Sequence, residues 1–335
     1  MDSITHIALG ACLGEAMAGK QLGKKAMLTG VLAHSLPDID FLAAFWLDTS
    51  DNLFAHRGLT HSFFFLLVMS PLLAFFFRRY IKKGNISYQH WLFFFLVAGG
   101  LHLLLDALNN YGTGWFEPFN SKRVAFNVIF VADPFFSLFP GIAFLLLLFY
   151  KQHRIRKIIY ITGLSASLLY TGYCISNKLR IEEKMQDVLA AQSFTYKRFM
   201  TTPAPFQNWL WFAIAETDSG YYTTYISVFD RNGSNRLSFF PRNENLLQEV
   251  NEKTEAKKLI RFSQGYYTLE KNRDTIVMND LRFGQITGWD DPFIGFSFHY
   301  YLQPATDNKL VVQRGRFANW NKKTWRAFVG RIRGI

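Results

Sequence analysis

The chain has 335 residues and a formal net charge of +12, and half of its residues are hydrophobic. The mean hydropathy of +0.04 is nevertheless close to neutral, because a charge-poor half and a charge-rich half are averaged. Residues 1–176 hold 14 basic and 9 acidic side chains, whereas residues 177–335 hold 23 and 16. Cys12 and Cys174 are the only cysteines, which excludes a disulfide framework and a metal site built from thiolates.

Apolar runs that are long enough to cross a membrane occupy most of the first half. A helix needs about 20 residues to span a hydrocarbon core of about 30 Å. The stretch 4–19 is a weaker candidate, because Glu15 and a row of small residues also suit a helix packed inside a bundle. The extreme N-terminus, MDSITH, lacks the basic region of a cleavable signal peptide. The sequence therefore predicts an α-helical polytopic membrane bundle of about five or six membrane helices within 1–176, with the main candidate spans at 26–47, 62–78, 91–108, 134–150 and 158–176.

Basic residues cluster in three short connections, and these alternate with connections that are poor in them. Such a bias is typical of cytoplasmic loops. The pattern predicts that residues 48–61, residues 109–133 and everything after about residue 177 lie on the outer, non-cytoplasmic side of the membrane. The basic clusters are Lys20, Lys24 and Lys25; Arg78, Arg79, Lys82 and Lys83; and Lys151, Arg154, Arg156 and Lys157.

The second half begins with the polar stretch SNKLRIEEKMQD, which predicts a helical linker over 177–205. Two aromatic and β-branched runs then flank a short Asp-Ser-Gly turn within 208–230, and this pattern predicts a β-hairpin. The sequence thus predicts a small extracytoplasmic α+β domain over 206–335, whose other elements are strands at 275–286 and 293–302 and a helix at 244–263.

Histidines and aspartates recur near the outer ends of the predicted spans. His34 and Asp38, and likewise His102 and Asp106, are four residues apart, a spacing that stacks two side chains on one helix face. An ionisable group at the border of a bilayer is unfavourable unless it pairs or binds a cation. Neutral imidazole with carboxylate is a ligand set for zinc, with iron and manganese as alternatives. The sequence therefore predicts a site for a divalent metal, preferably zinc and with more than one ion allowed, whose ligands are His6, His34, Asp38, His56, His61, His102, Asp106 and Asp133.

Three further side chains are candidates for catalysis beside that site. Asp40 follows Asp38 closely and offers a carboxylate that can orient a ligand or act as a general base. Arg57 and Arg123 suit an anionic substrate oxygen, which an arginine holds bidentately if the group is a phosphate. Anchoring of a lipid headgroup is the alternative interpretation for either arginine.

Residues 1–134 contain a series of short motifs in the order MDSITH, HSLPDID, HRGLTHS, HLLLDALNNYGT, PFNSKR and VADP. Their order and spacing resemble those of the YdjM-like family, bacterial inner-membrane proteins classed as membrane-bound metal-dependent hydrolases. Asn127 departs from the family pattern, in which an aspartate is expected. The H-x-x-x-D pairs are more distantly similar to those of zinc-dependent phospholipase C and nuclease P1-type enzymes, which cleave phosphoesters. The resemblance implies that all the predicted metal ligands and Asp40 occupy motif positions, and that Arg57, Thr60, Tyr111, Thr113 and Arg123 belong to the same blocks.

These observations favour a membrane-bound metal-dependent hydrolase with its His/Asp site at the outer face of the membrane, acting on a phosphoester or lipid-linked substrate. The alternative is an ion- or proton-translocating transporter that uses the same cluster. Stretches such as FLLLLFY leave the cytoplasmic halves of the spans nearly free of polar residues, which argues for a one-sided site. A non-catalytic scaffold stabilised by metal is a third interpretation. Membrane lipids are the expected partners, and no nucleic-acid partner is expected because no corresponding motif is found.

Overall fold

The chain divides into two compact units, one helical and one that contains antiparallel sheets. Unit 1 comprises residues 1–46 and 54–174, and unit 2 comprises residues 47–53 and 175–335. The computed structural model describes residues 1–231, 236–250, 253–272, 275–302, 311–312 and 320–335.

The first half of the chain folds into α-helices joined by short connections and 3₁₀ turns. A long helix, α7 (His153–Ala190), begins in unit 1 and continues into unit 2. The preceding helices are α1 (Ser3–Leu22), α2 (Lys25–Ser35), α3 (Thr49–Ala55), α4 (Phe63–Tyr80), α5 (Tyr88–Ala107) and α6 (Pro134–Phe149), with 3₁₀ helices at Pro37–Phe45 and Leu59–His61.

Among the described helices, α4, α5 and α7 are long and apolar enough to cross a membrane, and α6 is apolar but has 16 residues. The stretch 26–47, predicted as one span, is not a single helix. It is divided into α2, which ends at Ser35, and the 3₁₀ helix that begins at Pro37. Proline lacks the N–H that would continue the α-helical hydrogen bonds and crowds the preceding turn. Three membrane helices are thus supported, and the count of five or six stays a prediction.

Helices α1 and α2 form a close antiparallel pair, because glycines face the neighbouring backbone. A Cβ atom on Gly14 would lie 2.0 Å from the carbonyl oxygen of Ala26, and one on Gly30 would lie 2.0 Å from that of Gly10. Small residues allow such backbone approach between membrane helices. Gly23 adopts a φ of 63° directly after α1, a left-handed value that glycine takes without strain. This turn returns α2 alongside α1.

Polar residues of the sequence motifs begin three of the helices. Asp2, Ser62 and Asp133 each accept a hydrogen bond from a backbone N–H in the first turn of α1, α4 and α6 respectively. Such caps satisfy amide groups that have no partner within the helix. The motifs therefore specify where helices start as well as which polar side chains follow.

Unit 2 contains two four-stranded antiparallel sheets in which the strands follow chain order. The hairpin predicted within 208–230 is confirmed, because Leu210 pairs with Ser227 and Glu216 pairs with Tyr221. The first sheet consists of β1 (Arg198–Pro203), β2 (Leu210–Glu216), β3 (Gly220–Ser227) and β4 (Ser238–Pro241). The second consists of β5 (Tyr267–Asn272), β6 (Thr275–Asp280), β7 (Phe298–Leu302) and β8 (Val311–Val312). The helices are α8 (Lys253–Phe262) and α9 (Lys322–Ile332).

Strand β2 is covered on both faces, and all of its residues are buried. Trp211 and Ala213 pack with Met185 of α7, whereas Phe212 on the opposite face belongs to a cluster with Phe328 of α9. Residues two apart in a strand share a face. This explains why the strand is apolar from Leu210 to Ala215 instead of alternating with polar residues.

Several elements of unit 2 differ from the predicted bounds. The range 177–205, predicted as a helical linker, contains the end of α7 and then strand β1. The helix predicted at 244–263 is divided into a 3₁₀ helix, Glu244–Glu249, and α8. The strand predicted at 275–286 ends at Asp280, whose side chain caps the 3₁₀ helix Leu281–Phe283. The strand predicted at 293–302 begins only at Phe298.

Candidate metal centre

Histidine and aspartate side chains from five elements meet in unit 1. They form two overlapping groups that share His102, and in each group the potential ligand atoms all lie within 4.8 Å of one another. Asp38 is the most exposed member, at 28% of its side chain, and the other side chains are at most 1% exposed. The first group is His6, His34 and His102, and the second is Asp38, His61, His102 and Asp106; together they are called the His/Asp cluster.

Three imidazoles of the first group lie against one another. The His6 Nδ1 atom is 3.3 Å from the His34 Nε2 atom, and the His6 and His102 rings stack with their centroids 4.0 Å apart. The His34 Nδ1 atom lies 2.8 Å from the carbonyl oxygen of Ala98, to which it donates. In a neutral ring this donation leaves Nε2 of His34 as an acceptor directed at His6. A backbone carbonyl that fixes the ring in this way is common behind metal-ligating histidines.

The second group brings three more potential ligands to the shared histidine. The Nε2 atoms of His61 and His102 are 3.0 Å apart, and Asp38 Oδ1 is 3.5 Å from each of them. Asp106 Oδ2 lies 3.3 Å from the same His61 nitrogen. Ligand atoms around a tetrahedral zinc ion at about 2.0–2.1 Å are about 3.3 Å apart. The donor types and their spacing therefore suit a zinc-sized cation.

Asp40 orients the loop around the cluster instead of belonging to either group. Its Oδ2 atom lies 3.2 Å from His61 Nδ1 and accepts hydrogen bonds from the Arg57 backbone N–H at 2.7 Å and the Thr60 hydroxyl at 3.1 Å. Its Oδ1 atom lies 3.2 Å from His56 Nδ1. A carboxylate behind a ligating histidine fixes the ring and its tautomer. The structure thus places Asp40 where it supports His61.

The carboxylates create a negative potential at His61. Burial alone disfavours an imidazolium there, yet hydrogen bonds to Asp106, Asp38 and Asp40 raise the pKa of His61 to about 10. An opposite charge within hydrogen-bond distance favours the charged form of a titratable group. The same potential favours a metal cation held by the His61 nitrogen.

Arg57 lies at the edge of the cluster with a positive φ of 58°. Its Nε atom is 3.0 Å from Asp106 Oδ2, its Nη1 donates to Asn109 Oδ1 at 2.8 Å, and its guanidinium lies over the Tyr111 ring. The Met1 amino group also contacts Asp106. Asn109 and this amino group are not among the predicted site residues, although the asparagine lies in the motif HLLLDALNNYGT.

Arg123 has a different environment from Arg57. Its guanidinium donates to the backbone carbonyls of Phe54 at 2.6 Å, His56 at 3.0 Å and Gly112 at 3.3 Å. These bonds hold two connections of unit 1 together. The geometry therefore assigns Arg123 to positioning of the backbone near the cluster.

His56 and Asp133, both predicted as ligands, lie outside the two groups. The His56 side chain is 44% exposed, and its contact is with Asp40. Asp133 caps α6 and accepts a hydrogen bond from the Tyr170 hydroxyl at 2.9 Å. Asn127 adopts a φ of 53°, a left-handed conformation that asparagine tolerates well. This backbone conformation accounts for an asparagine at the position.

The YdjM inner membrane protein family matches residues 1–181, about half of the chain, and this range contains every candidate site residue. Inner membrane protein YbcI of Escherichia coli (strain K12) is 35% identical over 122 residues, which are 36% of this chain and 69% of YbcI. Uncharacterized protein YfhP of Bacillus subtilis (strain 168) is 27% identical over 205 residues, which are 56% of this chain and 58% of YfhP. No solved structure gives a significant match.

The comparisons agree with the motif resemblance found in the sequence. The family match and the apolar helices support an inner-membrane location. The chain belongs to the YdjM inner membrane protein family.

Proposed function

We propose that this protein is a membrane-bound metal-dependent hydrolase whose ion site is the His/Asp cluster. The observation that carries the proposal is the approach of the His61 and His102 Nε2 atoms to 3.0 Å, beside Asp38 and Asp106. Two nitrogen lone pairs at this distance repel each other unless a proton or a cation lies between them. Burial of the group makes an unbalanced set of carboxylates unfavourable, which further supports a bound cation. Zinc matches the imidazole and carboxylate donors best.

A divalent ion in the cluster and the Arg57 guanidinium beside it would together supply the groups that hydrolysis needs. A divalent ion held there supplies a Lewis acid that polarises a phosphoryl or acyl oxygen and lowers the pKa of a water molecule. The Arg57 guanidinium has five N–H donors, of which three contact Asp106, Asn109 and the Met1 carbonyl. Its remaining donors suit an anionic oxygen of the substrate. A phosphoester, including a lipid-linked one, is the substrate class that this arrangement favours.

The proposed topology places the cluster and the C-terminal unit on the extracytoplasmic side of a multi-pass protein. The basic clusters at the other ends of the helices support this orientation. Reporter fusions after residue 83 and after residue 335 should report opposite sides of the membrane. The same side for both would contradict the topology.

The activity is tested with the purified, metal-loaded protein and a panel of lipid phosphoesters. Turnover should depend on the added ion and be lost on chelation, because the bound ion would supply the Lewis acid. Asp38→Asn should lose turnover while keeping the fold, since asparagine retains the volume but lacks the negative charge. Ion-dependent flux across liposomes without turnover of any substrate would instead identify a transporter.

A further inference from the structure

A second polar site lies at the end of α1 that is remote from the His/Asp cluster. Helix α1 has His6 near its start and Lys20 near its end, roughly 20 Å apart at 1.5 Å per residue. The end of α1, the turn that follows it, the connection after α6 and the start of α7 line a cavity of about 610 Å³ here. Its lining consists of Glu15, Gly19, Lys20, Gly23, Lys24, Lys151, His153 and Arg156.

The single carboxylate of the lining is already neutralised. The Arg156 Nε atom donates to Glu15 at 2.7 Å, and both side chains are buried. The same guanidinium donates to the carbonyls of Leu147 at 2.6 Å and Tyr150 at 2.8 Å, and contacts the Met27 sulfur at 3.4 Å. Arg156 is therefore a structural part of the cavity lining. Its ion pair neutralises Glu15, so the carboxylate does not offset the charge of the other cations.

The remaining cations are exposed and lack an anionic partner. Within the described part of the chain, neither Lys20 nor Lys151 forms an ion pair, and Lys24 contacts only the Leu148 carbonyl through its amino group. His153 is the first residue of α7, whose first turn holds no acidic side chain. The free N–H groups of a helix start add a partial positive charge. Three lysines and this helix start thus face one cavity without a compensating anion.

We propose that this cavity binds a phosphate group, with Lys20, Lys24 and Lys151 as its contacts. Lysine is a strong phosphate ligand, and basic pockets between membrane helices bind anionic headgroups. The phosphate belongs either to a lipid headgroup or to a free phosphate compound, since both present the same charged oxygens. This site is independent of the proposed hydrolysis, because none of its residues belongs to the His/Asp cluster.

The test measures binding to the purified full-length protein in detergent. The probes are short-chain phosphatidylglycerol, the diacylglycerol of the same chain length, which lacks the phosphate, and inorganic phosphate. The variant is Lys20→Gln with Lys151→Gln. The matched control is Lys82→Gln with Lys83→Gln, which removes the same charge from exposed positions in another basic cluster that does not line the cavity.

The wild type should bind phosphatidylglycerol in preference to diacylglycerol. The cavity variant should lose at least about tenfold in affinity, since each lysine near an anionic headgroup contributes about fivefold. The control should change little, and Lys20→Arg with Lys151→Arg should retain binding because the charge is kept. If millimolar inorganic phosphate competes with the lipid, the ligand is a free phosphate compound. If it does not compete, the ligand is a lipid headgroup. Equal affinity for the two lipids, or equal loss in the cavity variant and the control, would overturn the proposal.

Discussion

Buried charges have different partners in the two units. In unit 2, Asp280 and Arg282 form a closed pair, with Nε 3.0 Å from Oδ1 and Nη2 2.6 Å from Oδ2. Glu216 likewise accepts from the guanidinium groups of Arg198 and Arg242. Both of these buried carboxylates form ion pairs with arginines that lie in, or shortly after, a strand of the same sheet. Such pairs need no external ligand, because the opposite charge comes from the chain.

The His/Asp cluster of unit 1 is not closed in this way. Three carboxylates lie within hydrogen-bond or ion-pair distance of the single His61 ring, namely those of Asp38, Asp40 and Asp106. Arg57 forms an ion pair with Asp106. Elsewhere in unit 1 the pair of Glu15 and Arg156 is as complete as the pairs of unit 2. The excess of carboxylate is therefore a property of this site and not of a membrane helix bundle. Under the proposed function, a bound cation would offset these carboxylates together with Arg57 and the Met1 amino group.

The largest effect is expected for Asp106→Asn. The carboxylate contacts both His6 and Arg57 and belongs to the second ligand group, so its loss removes charge that offsets the ion. Turnover should fall by orders of magnitude and bound zinc should decrease, as measured by elemental analysis of the folded protein. Arg180→Ala, at an exposed position of α7, should leave both unchanged. A well-folded Asp106→Asn protein with wild-type turnover would contradict the assignment.

Loss of a histidine should reduce bound zinc in unit 1 but not in unit 2. His61→Ala should lower bound zinc by more than the roughly 10–100-fold effect known for residues behind a ligand, because it deletes a ligand itself. His299→Ala in unit 2 is the control and should keep the ion, since His299 lies on β7 and not in the cluster. Full zinc occupancy in the His61 variant would remove this residue from the ligand set.

The closed pair of unit 2 should matter for stability alone. Arg282→Ala leaves Asp280 buried without its bidentate partner, which should destabilise the unit by about 3–5 kcal/mol. Thermal unfolding measures the loss. Replacing both residues together by apolar ones should restore much of it, because no uncompensated charge remains. A decrease in zinc content in the single variant would show that the two kinds of buried charge are not separate.

Asp40→Asn should have an intermediate effect on the centre. The side chain orients His61 and the backbone of Arg57 without joining either ligand group, so zinc affinity should fall roughly 10–100-fold. Titration with a competing chelator measures the change. A loss as large as that of Asp106→Asn would place Asp40 among the ligands, and no change would remove its orienting role.

Asp133→Asn should have the smallest effect. Its side chain caps α6, and asparagine caps a helix about as well as aspartate, so stability should change by less than about 1 kcal/mol. Zinc content should stay at the wild-type level. Loss of zinc in this variant would restore Asp133 to the ligand set that the sequence predicted.

The four-residue spacing places both side chains on one helix in only one of the two H-x-x-x-D pairs. His102 and Asp106 lie on one turn of α5, with Nε2 and Oδ2 3.9 Å apart, as the helical repeat requires. In the other pair, Pro37 ends the α-helix before Asp38 is reached. Asp38 enters the cluster through its approach to His61 and His102 instead. Both pairs contribute members of the His/Asp cluster, but Asp38 joins it through the fold and not through the helical spacing from His34.

The sequence by itself determined the helical membrane half, the family and all six members of the His/Asp cluster, because apolar length, capping residues and motif order are local features of the chain. Only the tertiary structure separated the members of the His/Asp cluster from the residues around it, such as His56 and Asp133. Aspartate before a helix serves as a cap or as a ligand with the same sequence signature, as Asp133 shows. Arginine in a polar loop binds a substrate or a carbonyl equally well, as Arg57 and Arg123 show. The close packing of α1 and α2 and the contacts of α5 decided which side chains share one buried site.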